Sequence, residues 1–420
     1  MFRKYAQVLR LPGAAAFSTV GMVARLPISM FGLATILLVS TQAGSYALAG
    51  QVSAAVTAAG AVGIPQVAKL VDRYGQARVI RPAVLIGGAA WTLLAVAVML
   101  DWPLWTWFAA GMVGGATGPS IGSLVRARWM HLLGDRTLQQ RAFSWESAID
   151  EVVFMLGPPL ATFLATGITP WAGVAAALGI LVVGGWTFTA LSSTEPPPAP
   201  HAARVPTRRL ATPAFIVVCL ISMGTGIVFG SVDIIVVAFA EEAGRRGMAG
   251  VILATWAAGS LVAGLTFGVL RFRRSVGAQL VVTSVAFSLL VPLLLLSTNL
   301  VTLGLLCFLT GLAIAPVLIS ATIMVERLVP ATALTEALTW SGTSIVIGVT
   351  IGAGVGGTLV DRYGAHPSFW LSALAALSVG LIAVVCHPLL RGDRVEHTAR
   401  TLSASLTESP VPGFPGGEVS

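Results

Sequence analysis

Five ionisable side chains sit in stretches otherwise built from apolar residues: Arg25, Glu146, Asp150, Glu151 and Asp233. A charge in such a setting loses hydration and is retained where a partner, a water-filled cavity or a proton compensates it. Arg25 is followed by Pro27, which removes a backbone donor and loosens the helix locally. Glu146 and Asp150 are four residues apart and therefore share one helical face. Asp233 has no basic residue within a helical turn. Such isolation suits a group that takes and releases protons, or one that receives a cation.

Other chemistry is missing. Cys219, Cys307 and Cys386 each lie in an apolar run, with no pair at metal-ligand spacing, and read as small buried hydrophobes. His131, His201 and His397 fall in polar segments, His366 and His387 at the ends of apolar ones, so no metal site is expected. No Gly-rich phosphate loop ending in Lys-Ser/Thr occurs, which excludes a built-in ATPase. The expectation is a protein that is not an enzyme, has no catalytic residues and holds no cofactor.

The elements that position these groups are membrane-spanning. Of 420 residues, 56% are hydrophobic and only 10% charged, too few polar groups to cover a soluble surface of this size. Long apolar runs without strand-like alternation read as helices, because a bilayer offers the backbone no other partner. Such runs fall at about 12–40, 45–68, 80–100, 103–125, 142–166 and 170–192. A second set follows at about 213–240, 248–270, 277–297, 300–324, 336–360 and 367–390. The first run follows Arg3-Lys4 and continues from Leu11 to about Val39, longer than a signal peptide's apolar core; we read it as a retained span. The fold class is all-α, with twelve spans in two six-helix bundles, 1–193 and 213–390. A Pro-rich cytoplasmic linker, 194–212, joins them and a disordered cytoplasmic tail, 391–420, ends the chain.

Basic residues assign the sides. With the N-terminus inside, 21 Lys and Arg fall on the inner side and only Arg245, Arg246 and Arg362 on the outer. The net charge of +8 is thus a topology signal and does not point to nucleic acid. Both termini are expected in the cytoplasm. Lys occurs only at Lys4 and Lys69, and the Arg-, Ala- and Gly-rich composition points to a GC-rich bacterial genome and hence a bacterial cytoplasmic membrane. Asp233, about twenty residues past Pro213, is expected toward the outer mouth. Glu326 and Glu336 flank an inner loop and read as solvated. Trp102, Trp105 and Trp107 read as interfacial anchors at an outer loop.

An internal repeat supports two halves. Gly114 and Pro119 correspond to Gly311 and Pro316, Trp145 and Gly157 to Trp340 and Gly352, Ala59-Gly60 to Ala258-Gly259. With six spans per half the repeat is parallel. Val71-Asp72-Arg73-Tyr74-Gly75 also recurs verbatim at Val360 to Gly364, but at another offset and on the opposite side, so it is not part of that repeat. Gly264 with Gly268, and Gly348, Gly352 and Gly356, recur at four-residue spacing. That spacing lets helices approach closely and is expected to serve the sliding contacts between halves.

Up to about residue 390 the chain resembles the major facilitator superfamily. The segment Asp72-Arg73-Tyr74-Gly75-Gln76-Ala77-Arg78 is similar to that family's Gly-x-x-x-Asp-Arg-x-Gly-Arg loop, with Ala68 at the leading Gly and Gln76 where a basic residue is common. Gly157-Pro158 resembles the Gly-Pro motif of its antiporter branches, with Ala161-Thr162 replacing the trailing glycines. The family's Arg in the fourth span has no counterpart between Phe108 and Gly118. The resemblance implies a monomeric secondary transporter that moves a small molecule across the bilayer by rocking two bundles, driven by a proton gradient. It gives Asp72, Arg73, Gly75 and Arg78 the role of a latch between the halves, and makes the first and fifth spans neighbours. Arg25 is then expected to pair with Asp150 or Glu146, the choice being open. Efflux of a small organic molecule by proton exchange comes first. Uptake of a nutrient or of an anionic metabolite bound by Arg25 is the alternative, and a non-transporting receptor or assembly factor a remote one.

Overall fold

The computed structural model describes residues 7–198, 212–267, 275–329 and 334–390. Among them are helices and turns and no strand. The first half comprises α1 (Ala14–Ala43), α2 (Tyr46–Tyr74), α3 (Gln76–Met99), α4 (Leu104–Ala116), α5 (Ile121–Leu132), α6 (Arg136–Gly167) and α7 (Ala172–Ala190). The second comprises α8 (Pro213–Glu242), α9 (Met248–Phe267), α10 (Val276–Leu290), α11 (Leu300–Gly311), α12 (Ile314–Leu328), α13 (Leu334–Tyr363), α14 (Ala365–Val385) and a final turn, α15 (His387–Leu390).

Eleven stretches are long and apolar enough to cross a membrane. The twelfth crossing, the fourth in sequence, is made by α4 and α5 together. Between them Thr117–Ser120 leave the helix ahead of Pro119, which has no N–H to donate. The tenth span breaks at the equivalent place: α11 ends at Gly311 and α12 begins at Ile314, ahead of Pro316. The Gly-x-x-x-x-Pro pairs of the repeat thus mark two broken spans. Leu85, Leu93, Phe163, Val183, Leu305 and Leu381 point outward along the spans, forming the apolar face that lipid covers.

Packing repeats with the sequence. In the first half α1 lies against α6 and α7, and α2 against α4; in the second, α8 lies against α13 and α14, and α9 against α11. The halves meet where α2 packs on α13 and α6 on α9, two contacts that the repeat interchanges. We call the end holding Arg73, Arg78, Arg81, Arg128 and Arg327 the basic face, and the other end the far face. Backbones of the two halves approach closely near the far face. A Cβ on Gly50 would collide with the Ala353 carbonyl oxygen, and one on Gly357 with that of Tyr46. One on Gly250 would fall 2.5 Å from the Pro158 carbonyl oxygen.

These three glycines, not the spaced set, hold the halves together. Gly348 and Gly352 press on the Met223 and Ile227 carbonyls of α8, and Gly356 on Ser231, all within the second half. Gly264 faces Ala315 in the same half; Gly268 lies outside the described residues. The expectation of sliding contacts there is corrected: four-residue spacing reports close packing but not which partner is packed. Gly157 is the repeat counterpart of Gly352 and does the same work in the first half, facing Ser29 of α1. Pro158 and Pro159 follow it inside α6. Trp107 also differs from expectation. It is buried, and its Nε1 donates to the Ala97 carbonyl at 3.1 Å, stapling α4 to α3, whereas Trp102 and Trp105 are exposed.

Linker residues 199–211 and the tail beyond Leu390 lie outside the described residues. The first linker residues are held: the Glu195 carboxylate accepts the Gln76 and Ala77 amides at 2.6 and 3.2 Å, closing the start of α3.

Candidate functional site

A cavity of about 780 Å³ lies between the halves. Its walls are α1 (Arg25, Pro27, Phe31, Thr35), α2, α3 (Trp91), the end of α4, the break after it and the start of α5, α6 (Asp150, Val153), α8 (Gly230, Asp233) and α13 (Thr343, Val346, Ala353). Most of the lining is apolar, with Phe31 and Trp91 stacked at 4.0 Å between ring centroids.

Arg25 settles the open pairing by taking both partners. Its Nη1 donates to Asp150 Oδ1 at 2.7 Å, and its Nη2 donates to Glu146 Oε2. Glu146 is fully buried; its other oxygen accepts Ser18 Oγ at 2.7 Å and Trp129 Nε1 at 2.8 Å. Asp150 is about one-third exposed to the cavity and uses its second oxygen for Arg126 Nη2, again at 2.7 Å. Four charges thereby form one chain, Glu146–Arg25–Asp150–Arg126, two of each sign, running from the interior of the first half to the cavity wall. Such burial is tolerable because each charge meets an opposite one or a hydrogen-bond donor. Glu151, adjacent to Asp150, lies on neither the network nor the cavity wall.

Arg126 is the member that sequence reading missed. It counts there as a loop charge on the inner side, but the break at Thr117–Ser120 starts a new helix, α5, that turns it into the cavity. The signal available was Pro119 seven residues earlier, marking a broken span. It supplies a cation to the fourth span, beyond the uncharged stretch from Phe108 to Gly118. Arg128, also counted as a loop charge, is completely buried. Its guanidinium donates to Gln76 Oε1, the Leu191 and Phe188 carbonyls and Thr194 Oγ1 at 2.7–3.1 Å, and stacks over the Phe188 ring. The carbonyls at the end of α7 thus receive a cation, as a helix C-terminus favours. Gln76 departs from the family pattern for a visible reason: a basic residue there would face Arg128.

Asp233 stands apart. It comes from α8, in the other half, and lines the central cavity instead of an outer mouth, because the helix continues past it to Glu242. Among the described residues it makes no hydrogen bond or ion pair. Asp72, Arg73 and Arg78 are exposed at the basic face, while Gly75 is buried with φ 92, a turn open to glycine between α2 and α3. Arg73 lies over the Tyr74 ring. Asp72 has no polar partner among the described residues. Glu326 is exposed as expected; the side chain of Glu336 is outside them.

The chain's fold recurs in known transporters. It superposes on the crystal structure of a mutant form of the nucleoside transporter NupG with a TM-score of 0.72 at 14% identity, covering 88% of this chain and 99% of that one. The unmutated NupG structure gives 0.69 at 14% identity, over 90% and 98%. A bacterial homologue of the iron transporter ferroportin, in its inward-facing state, gives 0.68 at 16% identity, over 89% and 99%. At such identities the likeness establishes the fold. No curated protein sequence matches the chain. The profile of the Major Facilitator Superfamily matches twice, over residues 17–230 and 214–412, one match per half. With its twelve spans, its duplicated packing and a central cavity between two bundles, the chain belongs to the major facilitator superfamily, a membrane transport protein and not an enzyme.

Proposed function

We propose that the protein exports a small organic molecule across the cytoplasmic membrane of a bacterium in exchange for protons, with Asp233 as the group that both ligands contest. The basic face is cytoplasmic in this reading, by the distribution of Lys and Arg. The observation that carries it is the charge balance of the cavity. Arg25 and Arg126 are matched by Glu146 and Asp150, so the unmatched charge among the described lining residues is the Asp233 carboxylate. A proton or a cationic group neutralises it; an anion does not. The apolar walls and the Phe31–Trp91 pair favour an apolar or aromatic body on that cation. The alternative in which Arg25 binds an anionic metabolite fits less well, since two carboxylates already hold its guanidinium.

Coupling requires that the proton change the relative stability of the two bundle arrangements. A bare carboxylate facing the other half does so once the halves close over it and remove its water. The test is reconstitution in liposomes with an imposed proton gradient. Asp233→Asn is expected to abolish proton-driven movement while leaving folding intact. Proton-driven transport that survives in Asp233→Asn refutes the reading. Resistance to toxic cations on overexpression, compared with deletion, identifies the substrate class and its direction.

A further inference from the structure

The second copy of Val-Asp-Arg-Tyr-Gly ends α13 at the far face, and the first ends α2 at the basic face. Because α2 and α13 run antiparallel against each other, the second copy lies beside the start of α2. At the far face that proximity is occupied. Asp361 accepts the Tyr46 amide at 2.8 Å, the Ala47 amide at 2.9 Å and the Ser45 hydroxyl at 2.7 Å. The two amides are the first donors of α2, which have no partner within their own helix, and they lie at its positive end. Ser45 is also the N-cap of α2, receiving the Leu48 amide at 3.1 Å. The Asp361 carboxylate thus closes a helix belonging to the other half.

Two more links cross the same seam. The Tyr46 hydroxyl donates to Glu241 at the end of α8, and Glu241 pairs with Arg246 at 3.5 Å. Arg246, in the turn after α8, donates to Ser40 and to Thr41 at the end of α1. A continuous polar chain therefore runs from α13 to α2, back to α8 and on to α1. The contact that the repeat makes equivalent, the end of α6 against the start of α9, has a different character: Thr166 faces Gly247 there, and no carboxylate hydrogen-bonds across it among the described residues.

We propose that Asp361 is the far-face gate of the carrier. Its carboxylate holds the cavity shut by capping α2, and the far face opens when this contact is released. The first copy supplies the contrast. Asp72 is the same residue of the same pentapeptide, and at the basic face, where the close approaches between halves are absent among the described residues, it is exposed and unbonded. Local sequence is therefore not what decides engagement. The separation of the halves is. Gly75 and Gly364 make the same turn, with φ 92 and 83, so the two aspartates leave their helices in the same way. The inference does not depend on which molecule is carried or on what drives it.

The test reads access to the cavity without a substrate. In the full chain with Cys219, Cys307 and Cys386 replaced, Ser53→Cys places one thiol in the cavity lining of α2. A membrane-impermeant maleimide is applied to intact cells and, separately, to inside-out vesicles, so that both faces are probed. From the far-face side, Asp361→Ala is expected to raise the labelling rate about tenfold, a shift of about 1.4 kcal/mol in the balance between closed and open. Asp361→Asn is expected to give a smaller increase. From the basic-face side both should label no faster than the parent. Should Asp361→Ala fail to reach the membrane, Asp361→Asn and Ser45→Ala carry the comparison. Asp101→Asn, at another turn of the far face, is expected to match the parent. Far-face labelling unchanged in the Asp361 variants, or raised equally by Asp101→Asn, overturns the proposal.

Discussion

Asp150 receives Arg25 on one carboxylate oxygen and Arg126 on the other, each at 2.7 Å. A single side chain on α6 therefore ties the middle of α1 to the helix that follows the break in the fourth span. Its partner carboxylate on the same helical face, Glu146, is fully buried and binds Arg25, Ser18 and Trp129. Four residues of separation give the two acids different environments, and different consequences follow from removing them.

Glu146→Gln leaves an acceptor for Ser18 and Trp129 but removes the charge facing a buried guanidinium. The loss is expected to be on the order of 3 kcal/mol, since an ion pair broken inside the protein leaves the other charge uncompensated. Asp150→Asn is expected to cost less, because the cavity lets water reach the site. Thermal denaturation of the purified variants in detergent should show Glu146→Gln well below Asp150→Asn and the parent. Equal midpoints for the two would show that burial does not separate their roles.

Gly157 has room for nothing larger. A Cβ there would collide with Ser29 Oγ and lie 2.8 Å from its Cβ. Ser29 is itself fixed, donating to the Leu26 and Val153 carbonyls at 2.9 Å each. Gly157→Ala is expected to lower stability by about 1–3 kcal/mol through overpacking. Adding Ser29→Gly should recover most of it, since it removes both clashing atoms. A double variant no more stable than Gly157→Ala would assign the glycine to backbone freedom next to Pro158 instead of to the contact.

Gln76→Arg restores the residue type common in the family and is nonetheless expected to harm this chain. The new cation would meet Arg128, which is completely buried and gives Gln76 Oε1 a 2.9 Å hydrogen bond. A loss on the order of 3 kcal/mol is expected, the scale of an unpaired buried charge. The membrane yield and denaturation midpoint of Gln76→Arg should fall below those of Gln76→Ala. The reverse order would mean that the added guanidinium finds an acceptor of its own.

Periodicity and charge were enough for the architecture because both are local and additive. Apolar runs of span length have one way to satisfy their backbone in a bilayer. The position of each Arg along the chain, summed over many loops, separates the two ends of the bundle. The Gly-to-Pro spacing in the fourth and tenth spans also repeats at the level of local chain, and the broken helices are there. Arg25 with Glu146 or Asp150 was legible through the family resemblance, which makes the first and fifth spans neighbours and so sets two acids on one helical face beside an isolated cation. What remained open was which of the two acids Arg25 takes, and the structure gives it both.

The rest belongs to the tertiary structure because it depends on which helix lies beside which. Four-residue glycine spacing states that a helix is approached closely, and only packing showed that Gly352 meets α8 in its own half while Gly357 meets α2 in the other. Arg126 became a cavity residue through the direction of α5, which a count of loop charges does not contain. Asp72 and Asp361 share five residues of sequence and differ in whether a neighbouring helix start is within hydrogen-bond reach. A short segment determines the turn it makes; the distance to a partner in the other half is a property of the whole assembly of helices, and it is there that the chain places its gate.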